Sequence, residues 1–265
     1  MQSPQMAVSK SSPIPLYYQL AERLRERIRS GELAAGDQLP ADRELAEQAG
    51  ISRMTARQAI AYLVREGTLV VKPGIGTFVA EPKLAYDALH LLGFTEETMR
   101  HGGAVASRVL EQVMVTPPAV VAAALELGED ETTVKIVRLR SAGKTPVLLE
   151  TSYVPAAGCP GLEDEDLETQ SLYLLLDLRF GIRLQRAHQT IEATVANQYE
   201  SGLFEIAAGT PMLLLEGVTY ADGDRPAEYF KAVYRADRIK FELESRRDSG
   251  QPHGAAAPQM SVVLT

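Results

Sequence analysis

The feature that most constrains this chain is a pair of short helical segments set three residues apart and followed directly by a hairpin with a glycine-rich turn. Asp42–Ala49 and Arg53–Glu66 carry apolar residues at helical spacing, and only Gly50-Ile51-Ser52 separates them. Gly50 is a natural helix stop and Ser52 a natural N-cap. Two helices joined by such a turn make a helix-turn-helix. After Gly67, Leu69–Lys72 and Thr77–Ala80 read as strands around Pro73-Gly74-Ile75-Gly76, a strong turn signal. Upstream, Leu16, Leu20, Leu24 and Ile28 mark a first helix, Leu16–Ser30, closed by Gly31. The order helix, helix, turn, helix, hairpin predicts a winged helix-turn-helix.

The third helix carries Arg53, Thr55 and Arg57 near its start, and Arg43 lies on the helix before it. Helix-turn-helix proteins set the N-terminal part of this helix in the major groove. The arginine fork matches guanine or phosphate. Any one of these arginines, taken singly, reads as well as a solvated helix face; the turn spacing and the hairpin together favour DNA. In the hairpin, Lys72 is a phosphate-seeking charge. Gly74 and Gly76 let backbone N–H groups approach a phosphate closely. Gly74-Ile75-Gly76 is not a nucleotide loop, since a third glycine and a following helix are lacking.

Charge agrees with this division. The chain of 265 residues has net charge −8. Residues 1–80 hold ten Lys/Arg and eight Asp/Glu (+2), and the rest hold seventeen and twenty-seven (−10). A mildly basic head on an acidic body suits a protein in which only the head meets phosphate. The length suffices for two cores. No apolar run spans a bilayer, no signal peptide is visible, and Cys159 is a lone cysteine. A cytoplasmic protein without membrane contact is expected.

The body alternates strands and helices. Strands are expected at Arg108–Val115, Thr133–Arg140, Val147–Val154, Gln185–Val195, Met212–Tyr220 and Ala227–Arg235. Helices are expected at Pro117–Leu127, Leu172–Phe180 and Gln198–Ile206. Turn-connected strands point to an antiparallel sheet with helices on one side, an α+β domain. The expected division is a DNA-binding domain over 13–80, a linker with some helical character over 81–92, a sensor domain over 93–247, and a disordered tail over 248–265.

Within the body, Arg138 and Arg140 stand two apart in a strand, so both leave one face. Their apolar neighbours cover both faces, so the arginines need partners, either an anionic ligand or internal carboxylates. Glu150 is the lone charge in Pro146–Val154, and Glu228 and Tyr234 share a face of the last strand. Carboxylates accepting hydroxyls beside such arginines suit a sugar phosphate or a small organic acid. Phe94-Thr95-Glu96-Glu97 reads as a helix start, with Thr95 as cap or with free N–H groups for an anion. The four histidines are scattered, and no nucleophile dyad, metal cluster or cofactor motif is evident.

These residues resemble a known family. Pro40-Ala41-Asp42-Arg43-Glu44-Leu45-Ala46, Ile51-Ser52-Arg53-Met54-Thr55-Ala56-Arg57-Gln58-Ala59, Gly67 and Gly74-Ile75-Gly76-Thr77-Phe78-Val79 are similar to the head of GntR-type bacterial repressors. The body resembles the UTRA effector-binding domain of the HutC subfamily, through Phe94–Glu97, Arg138–Arg140, Glu150–Pro155, Ser171–Tyr173, Gln189–Ala193 and Glu228 through Arg238. The resemblance runs from Pro15 to Arg247. It implies a chorismate-lyase-like UTRA fold, a homodimer built through the C-terminal domains, a palindromic operator in double-stranded DNA, and repression relieved by a small anionic effector. It implies DNA contacts from Arg43, Arg53 and Gly74. It implies an effector pocket with Phe94, Thr95, Arg138 and Arg140 at the anionic end and Glu150, Ser171, Tyr173, Glu228 and Tyr234 at the other. Ala41 and Gly93 each stand where relatives usually have Ser, and Ile75 where many have a basic residue. A chorismate-lyase-like enzyme acting on a small carboxylate is the alternative.

Overall fold

The computed structural model describes residue 6 and residues 8–87, 93–96 and 105–243. The chain divides into two compact units that part between Lys83 and Leu84, with Ala236–Arg238 grouped with the first.

The first unit holds α1 (Leu16–Arg29), α2 (Asp42–Ala49) and α3 (Arg53–Arg65), then the antiparallel hairpin β1 (Leu69–Lys72) and β2 (Gly76–Val79). Leu20 and Leu24 of α1, Leu45 of α2, and Ile60 and Leu63 of α3 form its core. Buried alanines at Ala46, Ala49, Ala56 and Ala59 let the helices approach closely. Gly50 closes α2 at φ 67°, a conformation that suits glycine. Ser52 then caps α3 by accepting from the Thr55 N–H at 3.1 Å. Ala41 occupies the N-cap of α2 without a side-chain bond, and the Asp42 carboxylate lies 3.7 Å from Arg57.

The second unit is built on a six-stranded, wholly antiparallel sheet. Its strands are β4 (Val105–Val115), β5 (Thr133–Ala142), β6 (Thr145–Pro155), β7 (Leu184–Val195), β8 (Pro211–Ala221) and β9 (Arg225–Arg235), in the order β4-β5-β6-β9-β8-β7. Three short helices accompany it: α4 (Ala119–Ala124), α5 (Leu172–Leu178) and α6 (Gln198–Phe204). They do not share one side, as the sequence suggested. Leu172, Leu175 and Leu176 of α5 pack with Val134, Ile136 and Val154 on one face. Phe204 of α6 packs with Val137, Leu139 and Val233, and Val121 of α4 with Tyr229, on the other. The reason lies in β5: Val134 and Ile136 point one way and Val137 and Leu139 the other, so both faces need cover.

A second departure falls in the expected linker. Leu84–Asp87 is not helical but a strand, β3, paired in parallel with β10 (Ile239–Glu242). Leu84 and Tyr86 alternate toward the apolar cluster around Phe94, Tyr234 and Ile239, a strand period rather than a helical one. Residues 88–92 and the tail over 248–265 lie outside the described residues.

Candidate functional site

Two constellations stand out, one in each unit. In the first, α3 turns its apolar residues inward and its polar ones out. Arg53, Arg57 and Gln58 are exposed, while Ala56, Ala59 and Ile60 are buried. Arg53 makes no hydrogen bond or ion pair among the described residues. Arg43 is fully outward and pairs with Glu47 at 3.0 Å, an exposed i,i+4 contact of small energetic weight. The Thr55 hydroxyl sits 2.8 Å from the Ser52 hydroxyl, so it serves the helix start as well as facing outward.

In the hairpin, Gly74 takes φ 73° with open space around it, so the backbone is bare at that residue. At Gly76 a Cβ would lie 2.4 Å from the Gln38 amide, which itself donates to the Ile75 carbonyl at 3.1 Å, so a side chain there would displace that amide from the wing. The Lys72 ammonium lies 4.5 Å from the centre of the Phe78 ring, an arrangement that holds the charge at the base of the wing. Ile75 is exposed at the tip.

The second constellation is a buried polar stripe crossing the α5-bearing face of the sheet, with apolar clusters above and below it. Register sets it: Arg138 stands opposite Glu150 and Arg140 opposite Leu148 across β5 and β6, and Glu228 stands opposite Thr219 across β9 and β8. Arg138 and Arg140 are only 2% and 3% exposed. Both reach one oxygen of Glu150, at 2.7 Å and 3.2 Å. Arg140 also donates to the Thr95 hydroxyl and lies 5.0 Å from the centre of the Phe94 ring. Residues 94–96 are helical, so Thr95 lies inside the first turn rather than at its cap, and Glu97 is outside the described residues. Ser171 caps α5 by accepting from the Leu174 N–H at 3.4 Å. Its hydroxyl also lies 3.6 Å from where a Cβ on Gly93 would stand, which sets Ser171 beside the 93–96 segment.

Glu228 is 1% exposed and accepts three hydroxyls: Ser152 at 2.6 Å, Tyr173 at 2.9 Å and Thr219 at 3.2 Å. Tyr234 packs its ring against Tyr86 and Phe241 at 5.7 Å and 5.3 Å. Sequence reasoning missed Ser152, Thr219 and Tyr86. Ser152 was within reach, two residues from Glu150 on the same strand face. Thr219 and Tyr86 join only through strand pairing.

The two carboxylates titrate in opposite directions. Burial alone would raise Glu150, but Arg138 and Arg140 outweigh it and hold the group below its usual range. Burial, and then repulsion from Glu150, raise Glu228. Burial and the Arg138 charge beside it also lower Arg140. The arginines remain under-satisfied. Among the described residues, Arg138 Nε and Nη1 and Arg140 Nε are buried without an acceptor, and both Glu96 carboxylate oxygens are buried without a donor. Buried guanidinium N–H groups left unmatched are costly. Two guanidinium groups converge on one oxygen of Glu150, and three hydroxyls gather on Glu228 at the other end of the stripe. A separate cleft of about 460 Å³ opens on the opposite face, among Tyr153, Tyr199, Tyr229, Lys135 and Lys231, remote from these groups by the alternation of the strands.

A winged helix-turn-helix joined to an antiparallel-sheet domain with a buried polar stripe defines a class: DNA-binding regulators that answer to a small molecule. The comparisons with known proteins agree. Residues 16–79 match the gntR family of bacterial regulatory proteins, and residues 100–240 match the UTRA domain. The chain belongs to the GntR family and carries a UTRA effector-binding domain. It is 37% identical over 236 residues to the HTH-type transcriptional repressor NagR of Bacillus subtilis (89% of this chain and 97% of that protein). It is 29% identical over 237 residues to the mannosyl-D-glycerate transport/metabolism system repressor MngR of Escherichia coli (89% and 98%). The crystal structure of PhnF from Mycobacterium smegmatis aligns with a TM-score of 0.62 at 29% identity, over 86% of this chain and 99% of that one. The chain is a DNA-binding transcriptional regulator controlled by a small effector, and the alternative reading as an enzyme falls with that membership.

Proposed function

We propose that this regulator is a repressor that binds a palindromic operator as a homodimer and is released by a small anionic, hydroxyl-bearing effector, such as a sugar phosphate or a small organic acid. Arg43, Arg53, Thr55, Arg57, Lys72, Gly74 and Gly76 form the DNA-facing set. Phe94, Thr95, Arg138, Arg140, Glu150, Ser171, Tyr173, Glu228 and Tyr234 form the effector set. The observation that carries the reading is the three buried guanidinium nitrogens of Arg138 and Arg140 that have no acceptor among the described residues. An anion supplies those acceptors, and the hydroxyls gathered on Glu228 mark where a polyol exchanges its own hydroxyls for theirs. The division of labour follows the two compact units, with the effector unit beginning at Leu84 rather than at 93.

Release requires that the effector bind two arrangements of the dimer unequally, typically by about 1–3 kcal/mol of coupling. Half-sites spaced by about one helical turn, roughly 34 Å, suit only one arrangement. A thermal-shift screen of sugar phosphates, phosphonates and small carboxylates tests the effector class, since a ligand held by the native state alone raises Tm. The expected result is a hit whose shift is lost in Arg138→Lys, which keeps the charge but not the planar fork. A hit that shifts both proteins equally contradicts the site.

A further inference from the structure

One residue on the DNA-facing side of α3 has no role in the reading above. Met54 is 71% exposed, more than any other large apolar side chain among the described residues of the first unit; Ile75 follows at 66% and Val71 at 49%. It is the second residue of α3, in the turn that helix-turn-helix proteins bring to base edges. It takes no part in the core, which α3 serves through Ala56, Ala59, Ile60 and Leu63. Met54, Gln58 and Ala61 follow one another at helical spacing, so they share a face. With Thr55 and Arg57 they line a shallow depression of about 450 Å³. Gln58 makes no hydrogen bond among the described residues, so its amide is available.

We infer that Met54 reads the 5-methyl group of a thymine in the operator half-site. Thymine presents the one apolar group on the major-groove edge of the bases, and an apolar side chain among polar neighbours is complementary to it. An unbranched thioether adapts its rotamers to reach such a group. Gln58, one turn along the same face, is placed to bond an adenine edge, the other half of an A·T-rich step. The inference rests on α3 being the recognition helix.

The test uses the full chain and duplexes enriched by it from a random-sequence library. Each thymine of the enriched half-site is replaced singly by deoxyuridine, which removes only the methyl group. At one position the wild-type protein is expected to lose about fourfold in affinity, the worth of one buried methyl. Met54→Ala is expected to show no loss at that position, and Met54→Leu to recover most of the discrimination. Equal losses for wild type and Met54→Ala at every thymine, or enriched half-sites without thymine, overturn the inference while leaving DNA binding intact. Failure to enrich any duplex overturns the recognition-helix reading itself.

Discussion

At the scale of residues, several side chains carry more than their share of the account. Ala41 stands at the N-cap of α2 with no capping oxygen, while Ser52 performs that service for α3. Ala41→Ser is expected to stabilise the protein by about 1 kcal/mol, seen as a higher urea midpoint at unchanged slope. Ile75 leaves the wing tip without charge. Ile75→Arg is expected to tighten operator binding and steepen its dependence on log salt by about one unit; an unchanged slope places the tip away from phosphate. Ser152 holds the buried Glu228 carboxylate at 2.6 Å. Ser152→Ala is expected to cost about 1–3 kcal/mol in equilibrium unfolding, because the acceptor stays buried after its donor is gone. Glu228 itself is raised, so the folded chain keeps its proton to higher pH than the unfolded chain does. Its contribution to stability therefore falls as pH rises from the unfolded value, about 4.3, through the folded one. Glu150, which is lowered, acts oppositely and loses its contribution as the solution is acidified through its folded value. In urea unfolding between about pH 4 and pH 8, Glu228→Gln is expected to flatten the part of the profile that declines with rising pH. A profile parallel to wild type contradicts the assignment.

At the scale of elements, local period decided what the sequence revealed. The helix-turn-helix was legible because its signals are consecutive: Gly50 stops one helix, Ser52 starts the next, and Gly74 turns the hairpin. Arg138 and Arg140 were legible as a pair because a strand repeats every two residues. Their dependence on Glu150 required knowing that β5 and β6 pair in the register that sets Arg138 opposite Glu150. Thr219 was not legible at all, since nothing in its neighbours announces that it meets Glu228 across β8 and β9. The parallel pairing of β3 with β10 joins residues far apart in the chain, so Leu84–Asp87 offered four residues of ambiguous pattern and was read as part of a linker. The helices of the body were found, but their sides were not. The apolar residues of β5 alternate between faces, and only packing shows that α5 takes one and α4 and α6 the other. Met54 received no role from the sequence, because its exposure depends on which face of α3 packs.

At the scale of the whole molecule, the charge division of +2 over residues 1–80 and −10 over the rest leaves the head as the part suited to the DNA backbone. Operator binding is accordingly expected to weaken steeply with salt, and Arg53→Ala to weaken it while leaving effector binding intact. No helix among the described residues is long and apolar enough to cross a membrane. The proposed control is linkage, in which an anion held by Arg138 and Arg140 changes what α3 and the wing do on DNA. The direct measurement is operator affinity with and without a compound found by thermal shift, for wild type and for Arg138→Ala. Wild type is expected to lose about 5–150-fold in operator affinity when the compound is saturating. Arg138→Ala is expected to bind the operator as wild type does and to stay bound when the compound is added. Release of Arg138→Ala at the same concentration as wild type contradicts the account.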